Sequence, residues 1–239
     1  MKLLGRRLTA LERPELVARL RDMVPHLTLA ERFALLHELG VYRHAAAVSG
    51  EGSTPSETAA LRAALPALLA AQGVRTLLDV PCGAFDWMRE VDLAGIDYVG
   101  VDIVPALVAE NRARFGGATR RFLVLDATRD ALPAVDLVLC RDLLVHLSLA
   151  HLAATLRNFV DSGARLLLTN HYGERDDNPD ILSGDFRPVN LCRPPFSLPP
   201  PLWTLSENSR MGEGLFPDRG MALWRLADVD AALRRATIG

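Results

Sequence analysis

Three aspartates and one glycine in the middle of the chain have the types and spacing that suit nucleoside binding. Asp79, Asp102 and Asp126 each lie at or near the end of a short apolar run, and Gly83 follows the first run. Asp102 lies 19 residues beyond Gly83. At the carboxyl edge of a parallel sheet, a carboxylate at this distance from a glycine turn meets the two hydroxyls of a ribose. The spacing therefore predicts a ribose-binding site.

The turn after the first run lacks the glycines that bind phosphate. A pyrophosphate site uses three glycines so that backbone amides at a helix start approach the phosphates. Gly83 is the only glycine between Asp79 and Asp86, and Pro81 and Phe85 lie on either side of it. This turn disfavours a nicotinamide or flavin dinucleotide. It favours a nucleoside without phosphates, such as S-adenosylmethionine, which joins adenosine to an amino acid.

A parallel sheet is needed to bring these residues to one edge, and the chain has the pattern for it. Short apolar runs cover residues 76–80, 98–102, 122–126, 135–140 and 165–169. Continuous runs of this kind are typical of strands buried on both faces of a parallel sheet. Helical periodicity at 105–115 and 149–160 alternates with them, and strand-like runs follow at 202–205 and 221–226. The pattern predicts a doubly wound, Rossmann-like α/β fold with a seven-stranded, mostly parallel sheet.

The first seventy residues have the pattern of helices. Capping boxes at 28–31 and 54–57 each open a helix, and an apolar stripe indicates a further helix at 11–23. We therefore divide the chain into an N-terminal helical cap, residues 1–70, and a cofactor-binding core, residues 71–239. The cap helices must bury their apolar stripes over the ligand mouth or against a second subunit, so a homodimer is possible.

Composition narrows the class of protein. The 239 residues include 27 Lys+Arg and 29 Asp+Glu, a net charge of −2, which argues against binding to nucleic acid or to an anionic membrane. The three cysteines are far apart and suggest neither disulfides nor a metal site. The start has no apolar segment of a secretory signal, and no run reaches the roughly 20 apolar residues that span a bilayer. We expect a cytoplasmic protein.

The segment Asp79–Met88 resembles the first motif of class I S-adenosylmethionine-dependent methyltransferases. It is similar in particular to a bacterial subfamily with Asp-x-Pro-Cys-Gly at its start. Pro81 and Phe85 replace two of the usual glycines, and Ala84 replaces an acidic residue of the subfamily. Other similar segments are 49–53, 140–147 and 187–201, so that the resemblance covers about residues 42–227.

This resemblance implies a set of cofactor-binding residues. They are Asp79, Pro81, Gly83, Phe85, Asp102, Ile103, Asp126, Ala127 and Arg141. By position, Asp79 and Gly83 match the motif that meets the amino acid end of the cofactor, and Asp102 matches the residue that pairs the ribose hydroxyls. Asp126 matches the position that binds the adenine amino group, and Arg141 lies where the family has residues near the methionine carboxylate.

The substrate side is predicted from residues after the fourth and fifth runs. His146 and His171 are candidate proton acceptors because imidazole titrates near neutral pH, and Asp142 is the third catalytic candidate. The proline-rich segment 187–201 is predicted to be an ordered, irregular strap across the acceptor mouth. The predicted substrate-binding residues are Arg187, Asn190 and Tyr172.

These observations predict methyl transfer from S-adenosylmethionine to an oxygen or nitrogen of a small-molecule acceptor. Two alternatives stay open at this point. A non-catalytic methyltransferase-like binding or regulatory protein is compatible with Ala84 in the first motif. A nucleotide-dependent oxidoreductase on a Rossmann-like fold is disfavoured by the missing glycines.

Overall fold

The computed structural model describes residues 23–236 of the chain, so nearly all of the helix predicted at 11–23 lies outside the described residues. The strands are β1 (Thr76–Asp79), β2 (Asp97–Asp102), β3 (Arg120–Val124), β4 (Leu137–Cys140), β5 (Leu166–Tyr172), β6 (Trp203–Ser206) and β7 (Arg219–Arg225). The helices are α1 (Leu29–Glu38), α2 (Pro55–Ala71), α3 (Pro105–Phe115), α4 (Leu149–Asp161), α5 (Met211–Gly214) and α6 (Leu226–Leu233).

All seven strands form one sheet with the order β3-β2-β1-β4-β5-β7-β6. The first five are parallel, and β7 pairs antiparallel with both β5 and β6. The predicted fold class is confirmed. The chain moves outward from β1 to β3 and then returns to β4 on the other side of β1. A crevice therefore opens at the carboxyl ends of β1 and β4, which is where open α/β sheets bind ligands.

The two faces of the sheet carry separate buried clusters. Leu77 and Leu78 of β1 point to opposite faces because side chains alternate along a strand. Leu77 packs with α2 and α3, whereas Leu78 packs with α4 and α6. The helix α2, which the division at residue 70 assigns to the cap, thus belongs to one of the two layers that cover the sheet.

The helix α1 begins at the predicted capping box. The Thr28 hydroxyl accepts a hydrogen bond from the Glu31 N–H at 3.3 Å, and the Glu31 carboxylate accepts one from the Thr28 N–H at 2.9 Å. Arg32, on the same helix, is buried and donates to the backbone carbonyl of Ser183 at 2.9 Å. Because Ser183 lies just before the proline-rich segment, this bond ties the cap helix to that segment.

The proline-rich segment 187–201 contains neither a helix nor a strand, as predicted. Its backbone is anchored by apolar side chains, since Val189, Leu191 and Phe196 are buried in the cluster that also holds Trp224. The Trp224 indole N–H donates to the Pro199 carbonyl at 2.8 Å. The segment is therefore anchored to the core through these apolar side chains.

Candidate active site

A cavity of about 240 Å³ lies at the carboxyl ends of β1, β2 and β4. Pro81 and Gly83 after β1, Asp102 at the end of β2 and Asp142 after β4 line one part of it. Side chains of α1 and of the loop 40–52 line another part. Residues of the cap thus form part of the cavity wall.

A narrower pocket of about 30 Å³ adjoins this cavity. The residues that line both spaces are Phe33, Pro81, Asp102, Ile103 and Leu143. Asp126 and Ala127, which follow β3, line the narrow pocket alone. Asp102 therefore lies at the junction between a small, mostly apolar pocket and a larger cavity.

The Asp102 carboxylate is held by two backbone groups. Its Oδ1 accepts the N–H of Val104 at 2.9 Å, and its Oδ2 accepts the N–H of Gly83 at 3.0 Å. Burial raises the pKa of Asp102, and these two N–H groups oppose that effect. Each oxygen keeps a second lone pair, so the fixed carboxylate can also accept hydrogen bonds from a pair of vicinal hydroxyls.

The turn at Gly83 requires a glycine for two reasons. Its φ is +52°, and a Cβ at this position would collide with the Ser49 hydroxyl. That hydroxyl accepts the Ala84 N–H at 2.8 Å, and the Asp86 carboxylate accepts the Val48 N–H at 2.9 Å. The segment 48–52 is thus bound to the turn after β1, with both lining the cavity.

A buried ion cluster forms the side of the cavity near β4 and β7. Arg219 donates to Glu207 at 2.7 Å and to Asp142 at 2.9 Å, and Arg141 donates to the same two carboxylates at 2.9 and 3.1 Å. The side chains of Arg219 and Glu207 are fully buried. The backbone at Gly52 passes directly over the cluster. A Cβ at this position would lie 2.6 Å from the Asp142 carboxylate.

Asp142 lines the cavity, but its charge is committed to this cluster. Burial would raise the pKa of Asp142, and the positive charges of Arg219 and Arg141 outweigh burial and hold the pKa at about 2. Such a carboxylate is a poor proton acceptor near neutral pH. Asp142 therefore does not suit the role of a proton acceptor, and its place among the catalytic residues stays a prediction.

The two predicted catalytic histidines lie in different environments. His146 lines the cavity, with its ring beside those of Tyr42 and Phe186. His171 is not among the residues that line the cavity and packs its ring against Trp224 at 5.4 Å. Burial lowers the pKa of His171, and Asp218 opposes this effect. His171 therefore lies outside the cavity lining, and its catalytic role stays a prediction.

Six of the nine predicted cofactor residues line the two spaces, and three do not. The six are Pro81, Gly83, Asp102, Ile103, Asp126 and Ala127. Asp79 is buried and accepts a hydrogen bond from the Tyr98 hydroxyl at 2.6 Å. The Phe85 ring packs in the core edge-on to Tyr98, and Arg141 lies behind Asp142 in the ion cluster. These three residues line neither space, and their contacts with a cofactor stay predictions.

The predicted substrate-binding residues also have structural surroundings. The buried Arg187 guanidinium donates to the Leu147 carbonyl at 2.7 Å, and the Asn190 amide donates to the Arg175 carbonyl at 2.7 Å. The Tyr172 ring is fully buried against Phe216. None of the three lines the cavity among the described residues, because loop carbonyls and core packing occupy their side chains.

Several cavity residues were not predicted from the sequence. They are Phe33, His37, Tyr42, Glu51 and Arg219. For α1, a signal was present, since Phe33, Leu36, His37 and Gly40 follow helical spacing and all line the cavity. Arg219 gave no signal, since an arginine at the start of a strand is ordinarily exposed.

No protein-family model matches the chain, and no curated protein matches it in sequence. Solved structures are similar to it. Magnesium protoporphyrin IX methyltransferase from Synechocystis PCC 6803, with S-adenosylmethionine bound, matches with 14% identity and a TM-score of 0.53, over 83% of this chain and 97% of that chain. An amino pentose methyltransferase from Micromonospora echinaspora matches with 22% identity and a TM-score of 0.40, over 46% of this chain and 48% of that chain.

A sugar N-methyltransferase from Streptoalloteichus sp ATCC 53650 matches with 22% identity and a TM-score of 0.41, over 51% of this chain and 52% of that chain. This chain spans about half the length of the two sugar methyltransferases that it matches. The likeness to the Synechocystis enzyme covers nearly the whole of that protein and shows the shared fold. The chain has the Rossmann-like fold of S-adenosylmethionine-dependent methyltransferases.

The residues present fit S-adenosylmethionine better than a dinucleotide. The turn at the end of β1 has a single glycine, Gly83, and the Ser49 side chain occupies the space next to it. The turn therefore leaves no room for phosphates. Asp102 and the narrow pocket suit the adenosine part. The larger cavity is lined by charged groups of both signs, Arg43, Arg219 and Asp142, of which the last two are paired with each other.

Proposed function

We propose that this protein is an S-adenosylmethionine-dependent methyltransferase that acts on a small-molecule acceptor. One observation carries the proposal: the buried Asp102 carboxylate lies at the junction of an apolar pocket and a larger cavity, next to a glycine turn without a phosphate cradle. A nucleoside joined to an amino acid matches all three features. A dinucleotide leaves its pyrophosphate without partners.

Different residues of the site bind different parts of the cofactor in this proposal. Asp102 accepts hydrogen bonds from the ribose hydroxyls, and Ile103 and Ala127 contact the base in the narrow pocket. The Thr128 hydroxyl donates a hydrogen bond to the Asp126 carboxylate at 2.6 Å and so fixes its orientation in the narrow pocket. The carboxylate held in this way is suited to accept a hydrogen bond from the adenine amino group. Gly83 lets the backbone of the turn approach the amino acid part.

When bound, S-adenosylmethionine supplies a methyl carbon made electrophilic by its sulfonium. The chain's own contribution is to position the acceptor in line with that carbon, which supplies much of the rate enhancement in such transfers. The cap helix α1 and the loop 40–52 line the cavity, and we expect them to limit the access of water to the reacting groups when the cofactor is bound. Phe33 and Leu36 contribute apolar surface to this lining.

The concave cavity of about 240 Å³ at the sheet edge favours a small acceptor. The Synechocystis relative also acts on a small molecule, magnesium protoporphyrin IX. We further propose membership of the bacterial subfamily with Asp-x-Pro-Cys-Gly in its first motif. The methyl group goes to an oxygen or a nitrogen of that acceptor.

No helix among residues 23–236 is long and apolar enough to cross a membrane. Within the same residues Cys82, Cys140 and Cys192 are free thiols, which supports our proposal of a reducing, cytoplasmic location. A homodimer through the cap stays a prediction, to be measured by light scattering.

Calorimetric titration tests the cofactor. We expect saturable binding of S-adenosylhomocysteine and none of NAD; the reverse preference would contradict the proposal. Transfer is tested by incubation of the protein with methyl-labelled S-adenosylmethionine and a metabolite extract. Label in the small-molecule fraction above that of an Asp102→Ala variant is expected. Label only in macromolecules, or no label above that variant, would contradict a small-molecule methyltransferase.

A further inference from the structure

The segment 48–52 joins two parts of the cavity wall. All of its residues line the cavity. At one end, the Ser49 hydroxyl accepts the Ala84 N–H at 2.8 Å in the turn after β1. At the other end, a Cβ on Gly52 would lie 2.6 Å from the Asp142 carboxylate. The segment therefore connects the glycine turn of the nucleoside site with the ion cluster on the far side of the cavity.

A carboxylate just after the glycine turn holds this segment by its backbone. The Asp86 Oδ2 accepts the N–H of Val48 at 2.9 Å and the N–H of Ser49 at 3.3 Å. The Ser49 hydroxyl accepts the Ala84 N–H in return, so three hydrogen bonds join the segment to the turn. Bonds to a carboxylate are stronger than bonds between neutral groups, which makes Asp86 the main anchor.

The Asp86 side chain lies outside the cavity. The described residues that line the cavity do not include it. It lies instead in an open groove on the outer side of the segment, together with Val48. Asp86 therefore reaches the site only through the backbone that it binds.

The stretch before the segment gives it little support. Residues 43–46 are exposed, and His44 and Ala47 exchange backbone hydrogen bonds at 3.0 and 3.2 Å, which makes this stretch a local turn. Farther along, Glu51 accepts the Gly212 N–H at 3.2 Å. Because an exposed turn buries little surface, the bonds to Asp86 fix the place where the segment meets the sheet edge.

The same bonds support the nucleoside site. The Gly83 N–H donates to the Asp102 carboxylate at 3.0 Å, and the N–H of the next residue, Ala84, donates to Ser49. Movement of Ser49 away from the turn leaves the Ala84 N–H without this acceptor and loosens the backbone that holds Asp102. Asp86 is thus linked to Asp102 through Ser49 and two consecutive residues of the turn.

We propose that Asp86 is a positioning residue of the methyl-transfer site. It holds the segment 48–52 against the turn at Gly83 and so keeps the cavity wall in the shape that binds the cofactor. This inference rests on the proposed function. Asp86 takes no part in the chemical step, and its effect on the cofactor passes through Ser49.

Calorimetry with S-adenosylhomocysteine on the full protein tests this role. Asp86→Ala is expected to bind about tenfold more weakly than wild type, because two backbone N–H groups lose a charged acceptor. Asp86→Asn should retain most of the affinity, since its amide oxygen accepts the same N–H groups. The matched control is Asp92→Ala: the Asp92 carboxylate likewise accepts a backbone N–H, that of Ala94 at 3.0 Å, but lies outside the cavity lining. It should bind as wild type does.

Amide hydrogen exchange on the same proteins separates positioning from general stability. In wild type, S-adenosylhomocysteine should slow exchange in the segment 48–52 and in the turn at Gly83. In Asp86→Ala, the segment should exchange faster and gain less protection from the ligand, whereas β4 and β5 should exchange as in wild type. Faster exchange throughout the sheet would show that Asp86 only stabilises the fold, and would overturn the inference.

The remaining outcomes are equally decisive. Equal affinity of Asp86→Ala and wild type, or an Asp86→Asn variant as weak as Asp86→Ala, would rule out positioning through these hydrogen bonds while leaving the proposed function intact. Failure of the wild-type protein to bind S-adenosylhomocysteine would instead contradict the proposed function itself.

Discussion

The Asp102 carboxylate accepts the backbone N–H of Gly83 at 3.0 Å, which joins the end of β2 to the turn after β1. One hydrogen bond thus fixes both parts of the proposed nucleoside site. The Ser49 hydroxyl reaches the same turn from the loop 40–52. The position of the Asp102 carboxylate, the shape of the turn at Gly83 and the position of the loop 40–52 are therefore linked.

Asp102→Ala is expected to weaken binding of S-adenosylhomocysteine by roughly 1.5–3 kcal/mol, the value of hydrogen bonds to a charged group. The loss follows from removal of both ribose contacts and of the support for Gly83. Calorimetry measures it. Asp97→Ala is the control, since Asp97 begins the same strand and is exposed. Equal affinity of Asp102→Ala and wild type would rule out the ribose assignment.

Gly83→Ala is expected to lower the affinity for S-adenosylhomocysteine by about tenfold or more, because the new Cβ displaces Ser49 and with it the turn that binds Asp102, whereas strain at positive φ lowers only the stability of the fold, by roughly 1–2 kcal/mol. Gly73→Ala is the control: its φ is +61° but its Cβ would meet open space. It shares the strain without the collision and should keep the affinity. Partial recovery is expected when Gly83→Ala is combined with Ser49→Gly.

Asp79 predicts a pH dependence of stability. Burial raises its pKa to about 7, and the Tyr98 hydroxyl opposes this. Because the folded-state pKa lies above the ordinary value of 3.8, the group supports the fold most at low pH and loses that contribution as pH rises to about 7. Asp79→Asn keeps an acceptor for Tyr98 and removes the titration. Urea unfolding at pH 5 and pH 8 should show the variant gaining on wild type at the higher pH; a constant difference would contradict this.

Arg219→Met is expected to lower the free energy of unfolding by about 3–5 kcal/mol, since Asp142 and Glu207 lose a shared partner in a buried site. Arg114→Met serves as the comparison, because the Arg114–Glu110 pair is exposed and such a pair contributes only about 0.2–0.5 kcal/mol. Urea unfolding measures both. Similar small losses in the two variants would show that the buried cluster does not stabilise the fold.

The sequence predicts the sheet and one end of the site for a simple physical reason. Buried parallel strands are continuous apolar runs, and their carboxyl ends meet at one edge. Asp102 ends one strand of this kind, and Gly83 follows the strand beside it. The sequence therefore predicts that the two residues lie close together.

The acceptor end is different because its residues come together only through tertiary packing. Arg219 meets Asp142 across 77 residues, through a strand that pairs antiparallel. Tyr42 arrives from the cap loop. Arg187 and Asn190 are polar residues of an irregular segment, and they donate to the backbone carbonyls of Leu147 and Arg175 in neighbouring loops, which need hydrogen-bond donors.

A crystal structure of the protein with S-adenosylhomocysteine tests the central claim most directly. We predict the ribose hydroxyls within hydrogen-bond distance of the Asp102 carboxylate and the adenine between Ile103 and Ala127. The thioether sulfur should face the cavity lined by His146. Ligand density away from Asp102, or an adenine outside the narrow pocket, would contradict the account.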